Sequence, residues 1–193
     1  MRKRGAALDS AIREAACAEL AEAGYGAFSV ESVAARARTG KASIYRRFAD
    51  KQQLALYAME CGFPPPPDGD IATAFGPDAT TRDAVLAILR RIAEATGGAG
   101  GALMRATVTE AARDPELSAL IEARIVGPRR ERMLQLLRRG VERGEVRASA
   151  LTAQVAEVGP VMVLHTVLTE GRAPSDAELI GLVDGVLMPM LRP

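Results

Sequence analysis

Tryptophan is absent from the 193 residues, aromatic residues make up only 4% of them, and His165 is the single histidine. With no Cys, Ser or Asp motif beside it, that histidine assembles no nucleophile–base pair, so no enzyme is expected. Two cysteines, Cys17 and Cys61, are too few for a disulfide scaffold or, alone, for a four-ligand zinc site, and read as small core residues. No phosphate-cradling loop is present, because Gly97-Gly98-Ala99-Gly100-Gly101 lacks the Lys-Ser/Thr ending and reads as a loop between helices. Long apolar runs are missing too: Val158–Leu168, the longest uncharged one, has about half of the ~20 residues a membrane span needs. The basic start, Met1-Arg2-Lys3-Arg4, is followed by Asp9, Arg13 and Glu14 before any signal-peptide core can form. Neither cofactor nor metal is called for. What is present is 48% apolar residue, mostly Ala, Leu, Val and Met, which suits a sizeable helical core in a cytoplasmic protein.

The net charge of +1 is unevenly spread. Residues 1–60 carry a net +3 and residues 61–193 a net −2, and the window 36–51 holds Arg36, Arg38, Lys41, Arg46, Arg47 and Lys51 against Asp50 alone. A small, locally basic head on a slightly acidic body points to a polyanion partner; the plainer alternative is a solvated charged face.

Helical spacing starts at once, with Leu8, Ile12, Ala16 and Leu20 every four residues and a stop at Gly24 and Gly26. Ser29 can cap a second helix over about 30–37, carrying Val30, Val33 and Ala34. After Arg38-Thr39-Gly40 comes the pair Ile44 and Phe48, and Asp50 with Gln53 forms a capping box opening a fourth helix through Leu54 and Tyr57. Pro64–Pro67 ends it and begins a connector reaching Pro77. Further helices follow with Val85, Leu86 and Leu89, over Ala102–Arg113, and from Asp114-Pro115; Gly127-Pro128 must kink or divide the last of these before Met133 and Leu137. The final two helices are apolar on more than one face. Val158, Val161, Leu164, Leu168, Leu179, Val183, Val186 and Met190 are therefore expected to be buried between two copies of the chain as a four-helix bundle, the alternative being a single-chain core.

Ser29 to Phe48 presents two short helices joined by a Gly-containing break, the pattern of a helix-turn-helix. Its second helix leaves Lys41, Ala42, Ser43, Tyr45 and Arg46 off the face taken by Ile44 and Phe48. Small residues at 42 and 43 let such a helix sink into a major groove, where Lys41 can reach a base edge while Tyr45 and the basic residues hold phosphates.

On these residues the chain resembles the TetR family of transcriptional regulators. The likeness runs through Ala15-Ala16, Gly24, Phe28, Ser29-Val30, Val33-Ala34, Ala37, Lys41, Ser43-Ile44-Tyr45, Arg46, Phe48, Lys51 and Leu54, with Tyr45, Phe48 and Lys51 its most specific portion. It implies an all-α fold: a three-helix helix-turn-helix DNA-binding domain over 1–50, then a helical ligand-binding and dimerisation domain over 51–193. By the same resemblance, Ser29, Tyr45 and Lys51 grip phosphates, and Lys41, Ala42 and Ser43 face bases. Arg38, Arg46 and Arg47 serve either purpose. Arg2, Lys3 and Arg4 either reach an adjacent minor groove or form an ordinary basic tail. The family's usual turn of Gly, an aliphatic residue and Ser is here Arg38, Thr39 and Gly40. A left-handed arginine would be strained, so the turn is expected to shift toward Gly40, with Thr39 or Gly40 capping the recognition helix.

The implied function is a homodimer on a palindromic operator in double-stranded DNA, most simply a repressor released by a small, largely apolar effector. Met59, Leu89, Met104, Val108, Met133, Met162 and His165 are candidates to line the effector pocket, with ordinary core packing as the alternative. A constitutive DNA-binding regulator without an effector and a helical protein-interaction adaptor are the competing functions.

Overall fold

A computed structural model describes residues 2–62, 76 and 78–193; the side chains of 2–4, 61, 62 and 99 fall outside that description. The proline connector, the side chains of the basic start and the Cys61 thiol therefore lie outside the described residues. Elsewhere the described chain is helical: α1 (Arg2–Ala27), α2 (Val30–Arg36), α3 (Lys41–Tyr45), α4 (Lys51–Gly62), α5 (Thr81–Ala95), α6 (Ala99–Ala111), α7 (Pro115–Ile121), α8 (Gly127–Glu142), α9 (Ala153–Glu170), α10 (Asp176–Leu182) and α11 (Met188–Leu191). Among the described residues no helix is long and apolar enough to cross a membrane.

Two compact units result, one of Met1–Pro64 with Gly98–Glu122, the other of Pro65–Gly97 with Ala123–Pro193. The compact boundary thus differs from a cut at residue 50, because α6 packs against α1 and α4. The first unit is closed by Ile12, Ala16 and Leu20 of α1, which are fully buried together with Leu54, Ala58 and Met59 of α4. Gly24, at φ 72° and ψ 170°, breaks the first helix where the sequence signals a stop. Asp50 Oδ1 accepts from Gln53 N at 2.7 Å, the cap that starts α4.

The second unit has a core of Val85, Leu89, Leu136, Leu137, Val163, Val167, Leu179 and Val183. Thr80 and Asp83 form a capping box at the start of α5, and Glu145 Oε2 accepts from Thr81 N at 2.6 Å. Gly97 is in the turn before α6, but Gly100 and Gly101 already belong to that helix, so the expected loop is shorter than the glycine run. Two π turns, Glu122–Val126 and Val183–Leu187, precede α8 and α11. Pro128 and Pro189 follow them closely, and in a regular α-helix each ring would clash with the carbonyl four residues back, at Arg124 and Gly185. Widening the turn at those carbonyls accommodates the ring without ending the helix. The kink expected at Gly127-Pro128 takes this form.

At Gly140 of α8 a Cβ would lie 2.5 Å from both Thr81 Oγ1 and Val146 Cγ2. Both neighbours are β-branched and stiff. Gly140→Ala should incur overpacking of about 1–3 kcal/mol, offset by the ~1 kcal/mol alanine gains over glycine in a helix. The net is a loss of up to about 2 kcal/mol, read as a lower denaturation midpoint.

Candidate nucleic-acid interface

The helix-turn-helix is built from local rules. Ser29, extended at φ −143°, caps α2 by accepting from Ser32 N at 3.1 Å. Its hydroxyl also lies 2.8 Å from Ser32 Oγ. Val30, Val33 and Ala34 turn inward, and Ile44 meets the core from α3 with no exposure at all. A helix of five residues is too short to persist by itself, so Ile44 and the bonds around it hold α3 in place.

The turn differs from expectation. Arg38 is the left-handed residue, at φ 52°, whereas Gly40 is extended at φ −82° and ψ 147° and caps α3 with no side-chain bond. The reason is the way α2 ends: Arg38 N donates to Ala35 O at 3.2 Å and Thr39 N to Ala34 O at 3.0 Å. That closing pair requires a left-handed residue directly after the cap residue Ala37. The turn therefore does not shift to Gly40, and Thr39 does not cap α3. Arg38→Gly should remove a penalty of about 1–2 kcal/mol against the roughly 0.5–1 kcal/mol that glycine costs through the unfolded chain. A rise in stability of up to about 1.5 kcal/mol in urea unfolding is the expected outcome.

On α3, Lys41, Ala42 and Tyr45 are exposed, with Arg46 exposed at its end and Ser43 half-buried. These four positions are exposed while Ile44 between them is buried. Tyr45 is 53% exposed. Arg46 Nη2 donates to Ser43 Oγ at 3.0 Å. Lys51 at the start of α4 lies 4.5 Å from the Tyr25 ring centroid and donates to Gly26 O at 3.4 Å. Burial, followed by the charges of Asp114 and Glu110, holds the Tyr25 phenol above its ordinary range.

The basic window is less positive in space than in sequence. Arg36 forks onto Glu22, with bonds of 3.1 and 2.5 Å, and also meets Glu19 at 3.4 Å. Arg47 donates to Asp9 Oδ1 at 2.6 Å and to Ser43 O at 2.9 Å. Lys41 Nζ donates to Glu31 Oε1 at 2.5 Å. That bond, chiefly, holds the Glu31 carboxyl below its ordinary range and the Lys41 ammonium above it. Among the described residues, Arg38 and Arg46 hold no carboxylate. Asp9, Glu22 and Glu31 all lie upstream of the window, so a count along the chain does not find them.

Residues 12–58 match the family described as bacterial regulatory proteins, tetR family, and residues 77–186 match the tetracyclin repressor-like C-terminal domain. The chain belongs to the TetR family. It is 32% identical over 193 residues to the DNA-binding transcriptional repressor TetR of Mycobacteroides abscessus, covering 98% of this chain and 97% of that one. An uncharacterized HTH-type transcriptional regulator of Mycobacterium tuberculosis is 29% identical over 176 residues, covering 89% of this chain and 82% of that protein. A TetR transcriptional regulator from Chloroflexus aurantiacus shares the fold at a TM-score of 0.69 and 22% identity, covering 100% and 99% of the two chains. FadR of Bacillus subtilis, solved with stearoyl-CoA, does so at 0.69 and 19%, covering 94% and 97%. The all-α fold and the helix-turn-helix are those of a TetR-family DNA-binding transcriptional regulator.

In this TetR-family chain the remaining candidate residues are divided between the units. Met59, Met104 and Val108 belong to the first, where Met59 and Met104 are core. Leu89 and Met133 of the second line a small apolar cavity of about 20 Å³ with Val85, Leu137, Gly159 and Leu187. Met162 and His165 are exposed on α9 instead. Of the residues expected between copies, Leu179 and Val183 are buried in the chain's own core, where α10 meets α5. Val158, Leu164 and Met190 are half-buried, whereas Val161, Leu168 and Val186 remain exposed.

Proposed function

We propose that this TetR-family regulator is a homodimeric repressor whose paired α3 helices read a palindromic operator, and that a small, largely apolar effector releases it. In this reading Lys41, Ala42 and Ser43 face bases, Ser29, Tyr45 and Lys51 grip phosphates, and Arg38, Thr39 and Arg46 border the contact. The observation that carries it is the outward set Lys41, Ala42, Tyr45 and Arg46 on a helix anchored by Ile44. Pairing of copies is supported by apolar surface on α9 and the following π turn: Val161 at 55%, Met162 at 44%, Leu168 at 37% and Val186 at 41% exposure. Exposed large apolar side chains favour association where they adjoin. Repression is suggested by the Mycobacteroides relative, a DNA-binding transcriptional repressor. An effector with an apolar chain is suggested by the stearoyl-CoA held by the Bacillus neighbour.

A constitutive regulator without an effector is the second reading, favoured by the size of the cavity. About 20 Å³ is room for roughly one water molecule, so an effector placed at this cavity would have to bind a more open shape. Selection of a binding site from random duplex DNA, followed by a screen of apolar compounds for release, separates these readings. Release of the selected duplex supports the effector; retention against every compound supports constitutive binding; failure to enrich any duplex removes both.

A further inference from the structure

The ion pair between Glu31 and Lys41 has no obvious structural purpose. Both side chains are 56% exposed, and exposed pairs add little to folding. Glu31 is in the first turn of α2 and Lys41 is the first residue of α3, so the carboxylate stands beside the face on which DNA binding needs positive charge. Asp9 and Glu22 hold Arg47 and Arg36, which lie outside α3; Glu31 alone of the three holds a cation on it.

We propose that Glu31 is a positioning residue for DNA selectivity, withholding the Lys41 charge from the phosphate backbone and presenting its ammonium to a base edge. The reading rests on α3 entering the groove. Binding to any sequence comes from cations that neutralise phosphates and release counterions. The Glu31–Lys41 unit carries no net charge, so it releases none. A phosphate seeking Lys41 must compete with a carboxylate already in place and lie next to its negative charge. Guanine N7 and O6 are neutral acceptors, and an ammonium with three N–H donors can meet one of them while keeping its bond to Glu31. Sequence-independent affinity is thereby lowered more than base-specific affinity, which widens the difference on which discrimination depends.

The test is fluorescence anisotropy of the full chain on a random-sequence duplex across a KCl series, with wild type, E31Q, K41Q and the double variant. E31Q should bind the random duplex about fivefold more tightly, and its log–log salt slope should steepen by about one unit, the contribution of one more neutralised phosphate. Adding K41Q should return both quantities to wild-type values. On a duplex selected by the wild-type chain E31Q should gain less, narrowing the specific-to-random ratio, while its thermal midpoint stays unchanged. An unaltered slope in E31Q would overturn the proposal. So would steepening that persists in the double variant, since Glu31 would then act through its own repulsion. A wild-type chain with no salt-dependent duplex affinity would instead remove the groove reading on which the proposal rests.

Discussion

Ile44→Ala will cost about 2–5 kcal/mol of stability in the first unit, the usual range for truncating a buried isoleucine, and DNA binding will fall with it. Ile44 is fully buried, and it sits on a helix of only five residues. Hydrogen bonding within so short a helix cannot offset the entropy of forming it. The bonds from Arg47 to Asp9 and to Ser43 O also help to hold α3, but they are exposed and contribute little once the apolar anchor is gone. Urea unfolding should show the lost stability, and anisotropy on a selected duplex should show weak binding that improves under stabilising conditions. An Ile44→Ala chain with wild-type stability would mean that α3 is held by something other than its buried face.

Tyr45→Ala should separate the two results. Its side chain is more than half exposed, so truncation leaves no cavity and the unfolding midpoint should stay within about 0.5 kcal/mol of wild type. Affinity for a selected duplex should nevertheless drop by about ten- to a hundredfold, the order expected when one good contact of about 1–3 kcal/mol is deleted. If Tyr45 touches a phosphate, the loss should be similar on all sequences, with the salt slope unchanged because a neutral phenol releases no counterion. Unchanged affinity would remove Tyr45 from the interface.

These two neighbours show what could be read from the sequence. Apolar spacing separated Ile44 from Lys41, Ala42 and Tyr45, because position on a helix determines which side chains share a face. The caps at Ser29 and Asp50 were legible for a similar reason: each acts within three residues of itself. Turn chemistry misled at Arg38, where avoidance of a strained arginine pointed to Gly40. The hydrogen bonds ending α2 decided otherwise, and their demand outweighs a penalty of order 1 kcal/mol. Long-range pairing was not legible at all. Asp9 is 38 residues from Arg47 and Glu22 is 14 from Arg36, and only the fold brings such charges together. The last two helices are apolar on more than one face, but composition does not say which residues each buries within its own chain. Leu179 and Val183 fill the chain's own core, while Val161 and Val186 stay outside it.

A photoreactive benzoylphenylalanine in place of Tyr45 tests the assignment of α3 most directly, with the same group at Val186 as the comparison. Irradiated with a duplex selected by the wild-type chain, the protein carrying the group at position 45 should form a covalent adduct with DNA and the one carrying it at 186 should not. DNA binding with no adduct from position 45, or with an adduct from 186 alone, would contradict it.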